Sequence, residues 1–93
     1  MKDNNILYFE RARNPNKKYR AILADGSGVE FGSSKYQHYE DRTPLKLYSH
    51  LDHKDKIRRY NYRQRHGAIM TKTGIPAINV KYSPAWFSYY YLW

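Results

Sequence analysis

Cysteine is absent from these 93 residues, which removes disulfide staples, thiolate metal ligands and a cysteine nucleophile together. Acid is scarce as well: eight Asp and Glu stand against seventeen Lys and Arg, for a formal charge of +9. Catalysis by paired carboxylates therefore has few residues to draw on. Long apolar runs are also missing. No stretch approaches the roughly 20 residues a membrane span needs, and the opening MKDNNILYFERAR has no secretory signal core. The expectation is a protein that neither spans a membrane nor is secreted, and the lack of cysteine allows a reducing compartment.

What the chain does have is tyrosine and positive charge, both unevenly spent. Residues 1–46 carry nine basic and six acidic groups, residues 47–93 eight and two, so the second half holds most of the excess. That imbalance costs self-repulsion in a compact fold and is relieved by phosphates or acidic protein surfaces. Eleven tyrosines exceed what a small core needs, and each brings a hydroxyl that wants a partner when buried. Tyrosine also suits half-buried strand positions, so its abundance alone does not separate a core from a contact surface. At this length the chain is a single domain that buries only about two-thirds of its unfolded surface.

The pattern predicts an α+β fold: a small three-stranded antiparallel meander, then a basic helix and a short aromatic C-terminal helix. Within a single basic domain over 1–93, residues 1–34 form the meander, 35–67 a loop plus the basic helix, and 68–93 an extended segment with the aromatic helix. Ile6 to Arg13 is rich in β-formers, Asn14-Pro15-Asn16 breaks it, and Tyr19 to Ala24 resumes as the second arm of a hairpin. Asp25-Gly26-Ser27-Gly28 is a second turn, before the alternating Val29-Glu30-Phe31. Gly32 to Pro44 has no period and reads as a long ordered loop, a length that usually serves some purpose. Either Pro44 opens a short helix, or Ser49 caps one with Asp52 at its third position. Gly67 stops the basic helix. Ala77 to Tyr82 reads as extended, and Ser83-Pro84 is a cap followed by proline at the first helical position, opening a helix to Trp93.

The basic helix carries the main functional expectation. Steps of three, four, seven, ten and eleven from Asp55 reach Arg58, Arg59, Tyr62, Arg65 and His66, neighbours on one side of a 3.6-residue helix. With Lys54, Lys56 and Arg63 they form a cationic ridge in which arginine predominates, and its planar fork suits carboxylate or phosphate. The plainer reading is a solvated helix with Asp55 paired to Arg58 or Arg59, worth a few tenths of a kcal/mol. The expected ligand is an acidic protein surface, with DNA or RNA as the alternative. Neutralising some four to six phosphates would make nucleic-acid binding steeply salt-dependent, with Tyr60 or Tyr62 stacking on single-stranded bases. No ribonucleoprotein string, zinc-finger spacing or GxxG clamp accompanies the charge.

The second expected contact surface is the tail, SPAWFSYYYLW, the most hydrophobic part of the chain. Trp86, Phe87 and Tyr90 can dock on the sheet, leaving Tyr89, Tyr91 and Trp93 as an exposed patch. Trp86, Tyr89, Tyr91 and Trp93 are accordingly the expected tail contacts. Metal binding and catalysis are weaker readings. His38, His50, His53 and His66 lack the spacing of structural or catalytic zinc. Glu30 on a strand near Asp25 faintly suggests a metal-dependent nuclease, without the expected lysine, while Glu40-Asp41 precede Arg42. No catalytic residue, cofactor or metal is therefore assigned.

Taken in order, Lys17 to Leu23 (KKYRAIL), a glycine turn with Val29-Glu30-Phe31-Gly32, a tyrosine-rich loop, Asp55/Arg58/Arg59/Tyr62/Arg65/His66 and the block from Ser83 to Leu92-Trp93 carry a resemblance. The chain resembles a family of short basic proteins of large nucleocytoplasmic double-stranded DNA viruses of eukaryotes, over Lys17 to Trp93. Members often continue past the Leu-Trp pair with a further basic segment, which this sequence does not have. The resemblance implies viral origin and a non-enzymatic role, and brings no catalytic residues with it. The expected function is thus a structural or adaptor protein of a virus particle, minor capsid or cement-like, contacting other virion proteins. Its expected location is the virion or the viral factory in the host cytoplasm.

Overall fold

The structure is a computed structural model that describes residues 5–93. The first four residues, which the sequence reading places in the meander segment, lie outside the described residues. Three antiparallel strands, β1 (Ile6–Arg11), β2 (Lys17–Leu23) and β3 (Gly28–Ser33), form one sheet in the order β1-β2-β3. Two α-helices follow, α1 (Lys56–Gly67) and α2 (Pro84–Tyr91). This is the expected α+β architecture.

Local chemistry sets both turns. Asn14 Oδ1 accepts from the Asn16 amide at 2.9 Å, and Asp25 Oδ1 accepts from the Ser27 amide and hydroxyl at 2.9 and 2.6 Å. Gly26 takes a φ of 89° between them, a conformation glycine adopts at no steric cost. Asp25 is thus spent on its own turn, and Glu30 accepts from the Arg13 amide at 2.7 Å and faces Arg20 at 3.9 Å. Both acids of the nuclease reading have structural work where they stand.

Register places Phe9 opposite Ala21 and Tyr19 opposite Phe31, so alternate residues put one aromatic face toward α2. Phe9, Tyr19, Ala21, Leu23 and Phe31 from the sheet meet Trp86, Phe87, Tyr91 and Leu92 from the C-terminal segment in a single core. Phe31 and Phe87 stack with centroids 5.1 Å apart, and Phe9 meets both edge-on, the geometry ring quadrupoles favour. Ser83 caps α2 by accepting the Trp86 amide at 3.1 Å, with proline following at the start of the helix.

Two expectations about local structure are corrected. No helix runs from Pro44 or Ser49: Ser49–Leu51 is a single 3-10 turn, and α1 begins only after Asp55. Asp52 is not available as a helix-capping acid, because its Oδ1 accepts from the Asp41 amide at 2.8 Å and lies 2.5 Å from His38 Nε2. Lys54, at φ 53°, also interrupts any continuous helix there. Ala77 to Tyr82 is not extended. Ala77–Asn79 forms a 3-10 turn after Pro76, and Ser83 Oγ donates to Ala77 O at 3.2 Å, which bends the chain into α2.

The long loop before α1 is held by a buried polar hub. Asp41, 1% exposed, fills one carboxylate oxygen with the Thr43 amide and hydroxyl at 3.0 and 2.6 Å. Its other oxygen takes the Tyr19 hydroxyl at 2.5 Å and the Tyr48 amide at 3.1 Å. Tyr19 in turn accepts from the Leu47 amide at 2.8 Å, and burial, with Asp41 adding to it, pushes its phenol up to about 12. His38, fully buried, ties the loop to Asp52 across a short parallel bridge. Burial, then the nearby Lys18 charge, lowers its pKa and favours the neutral ring.

Candidate functional site

The two surfaces expected to reach outward meet each other. Asp55 begins α1 as its N-cap, its Oδ1 accepting from the Ile57 and Arg58 amides at 2.9 and 3.2 Å. It caps the helix and is not the ion-pair partner of Arg58 or Arg59; among the described residues the one Lys or Arg to carboxylate side-chain pair is Arg20–Glu30, and His38–Asp52 is a contact of a ring favoured neutral. Capping fixes the rotation of α1, and that rotation turns Arg59, Tyr62, Arg63 and His66 toward the C-terminal residues.

Trp93 lies flat on Tyr62, with centroids 4.1 Å apart and planes 4° from parallel. The other face of Tyr62 is covered by His66 at 3.9 Å and 19°. Both faces of Tyr62 are therefore occupied, which corrects its expected availability for base stacking. Burial pushes its phenol up to about 12. His53 tilts against Trp93 at 5.2 Å, and burial followed by the Arg58 charge lowers its pKa.

Guanidinium groups hold the same tail. Arg59 Nε and Arg63 NH2 donate to the Trp93 carbonyl oxygen at 2.8 and 3.1 Å, joined by NH2 of Arg42 at 3.2 Å. NH1 of Arg42 donates to Tyr90 O at 2.9 Å. Arg59 also sits over the Tyr39 ring at 4.5 Å and Arg63 over Tyr89 at 4.8 Å, contacts worth about 0.5–1 kcal/mol each near a surface. Burial and the neighbouring Arg59 and Arg63 charges lower the Arg42 pKa. The sequence reading did not anticipate Arg42, Tyr39 or His53 here, because the first two lie in the loop without periodicity and His53 lies just before α1, with no local sign of its distant ring partner.

The expected tail contacts divide. Trp86 and Tyr91 are 4% and 7% exposed and belong to the core, which corrects the reading of Tyr91 as part of an exposed patch. Tyr91 lies one turn beyond Phe87, so both face the sheet, and a helix this short cannot present it outward. Tyr89 and Trp93 are half-buried beneath the arginines. Of the ridge, Lys54, Lys56, Arg58 and Arg65 remain exposed, with Arg58 donating to Gln37 Oε1 at 2.9 Å. Between them α1 presents Ile57 and Tyr60, 73% and 62% exposed. The helix buries none of its residues.

Among the described residues no group of three or more His, Cys, Asp or Glu is placed to hold a metal ion, and no helix is long and apolar enough to cross a membrane. Comparison with protein-family models, curated proteins and solved structures finds no match.

Replacing Trp93 with alanine is expected to detach α1 without unfolding the sheet. Losing the Tyr62 stack should cost about 0.5–1.5 kcal/mol beyond the lost burial and speed amide hydrogen exchange in α1 relative to β2. Unchanged exchange in α1 would mean the helix is held by something other than this tail.

Proposed function

We propose that this protein is a non-enzymatic structural or adaptor protein of a large DNA virus particle, a minor capsid or cement-like component that bridges neighbouring proteins. One observation carries the proposal: the longest helix buries none of its residues, and its outer side pairs Ile57 and Tyr60 with Lys56, Arg58 and Arg65. An apolar pair ringed by cations matches an interface whose centre excludes water and whose rim is charged. The formal charge of +9 favours an acidic protein surface as the occupant. Exposed Ile69, Met70 and Ile75 beyond the end of α1 add apolar surface for a neighbour to cover. The setting in a virus particle, assembled in the host cytoplasm, rests on the sequence resemblance.

The alternative, a helix face tracking nucleic-acid phosphates, has less to support it. Arg59 and Arg63 are spent on Trp93, and Tyr62 has no free face.

Carbodiimide crosslinking of intact purified particles, which activates carboxylates for attack by lysine amines and leaves an amide, tests the proposal. Lys54 and Lys56 are expected to join acidic segments of other particle proteins. A double variant, Ile57→Asp with Tyr60→Glu, should fold normally yet enter particles about tenfold less well, as loss of an interface anchor predicts. Absence of the protein from purified particles, or normal incorporation of the double variant, overturns it.

A further inference from the structure

Beside the Tyr62–Trp93 stack lies a pocket of about 340 Å³ that the adaptor reading leaves unused. It is walled by α1 on one side and by the end of β3 with the following loop on the other. Its volume is at the lower end of the about 300–1,000 Å³ typical of small-ligand sites, room for one mononucleotide-sized group and not for a run of stacked bases.

The lining has one electrostatic sign. Lys18 and Arg65 reach it, His66 borders it, and no Asp or Glu lines it. Lys18 is only 2% exposed, and its Nζ donates to Tyr36 O at 2.8 Å. An ammonium has three hydrogens, so this contact leaves donors for a ligand. Gly32 makes the arrangement possible. At φ 77°, a Cβ there would stand 2.8 Å from Leu92 Cδ1 and 3.2 Å from Lys18 Cδ, in the space through which the lysine stem runs. Burial lowers the Lys18 pKa to about 8, and the Asp41 and Asp52 charges oppose that shift, which helps hold an otherwise costly buried ammonium in place. Arg65 stands exposed at the opposite side, with no acid paired to it among the described residues.

The remaining walls are aromatic and hydroxylic. Tyr36 is 71% exposed with a free ring, Tyr62 and Trp93 present their edges, and Ser33 and Ser88 supply hydroxyls. Cations at two sides ask for an oxyanion, and rings with small polar groups ask for a planar heterocycle with hydrogen-bonding edges.

We infer that this pocket binds a single nucleotide, its phosphate between Lys18 and Arg65 and its base against Tyr36. The same chemistry is offered by a free mononucleotide and by the end of a single strand. Arg65 borders both this pocket and the outer side of α1, but neither source requires Ile57 or Tyr60, so the Ile57→Asp, Tyr60→Glu variant should keep nucleotide binding and the two readings fail separately.

Trp93 borders the pocket and reports on it. Titrating the intact protein with thymidine monophosphate at physiological salt should change tryptophan fluorescence saturably, with a Kd below about 1 mM, about 4 kcal/mol of binding. Thymidine alone should fail. Arg65→Gln, at an exposed position that leaves the fold intact, should weaken binding by about tenfold or more, as loss of a charged hydrogen bond does. Lys72→Gln, on the segment after α1, should change nothing. A short oligothymidylate that binds more tightly and is displaced by the monophosphate identifies a strand end; equal affinity identifies the free nucleotide. No saturable response at millimolar concentration overturns the inference, as does equal loss from Arg65→Gln and Lys72→Gln, which would mean diffuse charge attraction only.

Discussion

Replacing Asp41 with alanine is expected to lower the unfolding free energy by about 3–5 kcal/mol, the range seen when one member of a buried charged network is removed. Four donors lose their acceptor at once: the Tyr19 hydroxyl, the Thr43 amide and hydroxyl, and the Tyr48 amide. Each is stranded in a region water reaches poorly, where an unmade hydrogen bond costs about 1–3 kcal/mol. Lys18 also loses a charge that helps hold it protonated. The loop from Ser34 to Asp55 has little regular structure to fall back on, so denaturant titration should show the loss directly. A change below about 1 kcal/mol would place the loop's anchor elsewhere.

The same hub sets the pH response. Burial alone would raise the Asp41 carboxyl, yet hydrogen bonds from Thr43, Tyr19 and Tyr48 together hold it below the ordinary aspartate value. A depressed folded value makes its contribution fully present above the unfolded range, about pH 3.9. That contribution is lost as pH falls through the depressed value, and the alanine variant should lack this part of the acid transition. On the alkaline side the slope has the same sign for Lys18, whose pKa burial lowers to about 8. Between there and the ordinary lysine value the unfolded chain binds more protons, so stability rises with pH.

Phe87→Ala should cost a similar about 3–5 kcal/mol, as large-to-small changes at buried aromatics do. Phe87 has no exposed surface and touches Phe9, Phe31, Tyr82, Trp86 and Tyr91 by ring contacts. It is the residue through which α2 reaches both outer strands of the sheet, β1 and β3. Thermal or denaturant unfolding measures the loss, and Phe87→Leu should recover part of it by refilling volume. A variant of near-normal stability would show that α2 holds the sheet by other contacts.

The meander was legible because Asn14-Pro15-Asn16 and Asp25-Gly26 are turn chemistry with a local mechanism, and so was α2, opened by Ser83-Pro84. The position of the basic helix was legible too, from its arginine spacing and Gly67. What the sequence hid was the partner of each surface. Nothing local to Arg59, Tyr62 or Arg63 says that Trp93, some thirty residues away, will lie between them. The Asp41 hub was hidden for a related reason. Its acid, histidine and threonine look like a polar loop, and only Asp41-Arg42-Thr43, an Asx-turn spacing, signals that the carboxylate closes on its own backbone. Ala77 to Tyr82 misled because a short apolar run fits a strand or a tight turn equally well.

The docking of α1 through rings and guanidinium planes, with scarcely any aliphatic contact, has a thermodynamic consequence. Exposing apolar surface, rings included, raises heat capacity while exposing polar groups lowers it, so releasing this helix, whose ring contacts are interleaved with guanidinium groups, changes heat capacity less than melting the phenylalanine-lined sheet does. Calorimetric curvature would then belong chiefly to the sheet, and the stability of the docked helix would bend less with temperature.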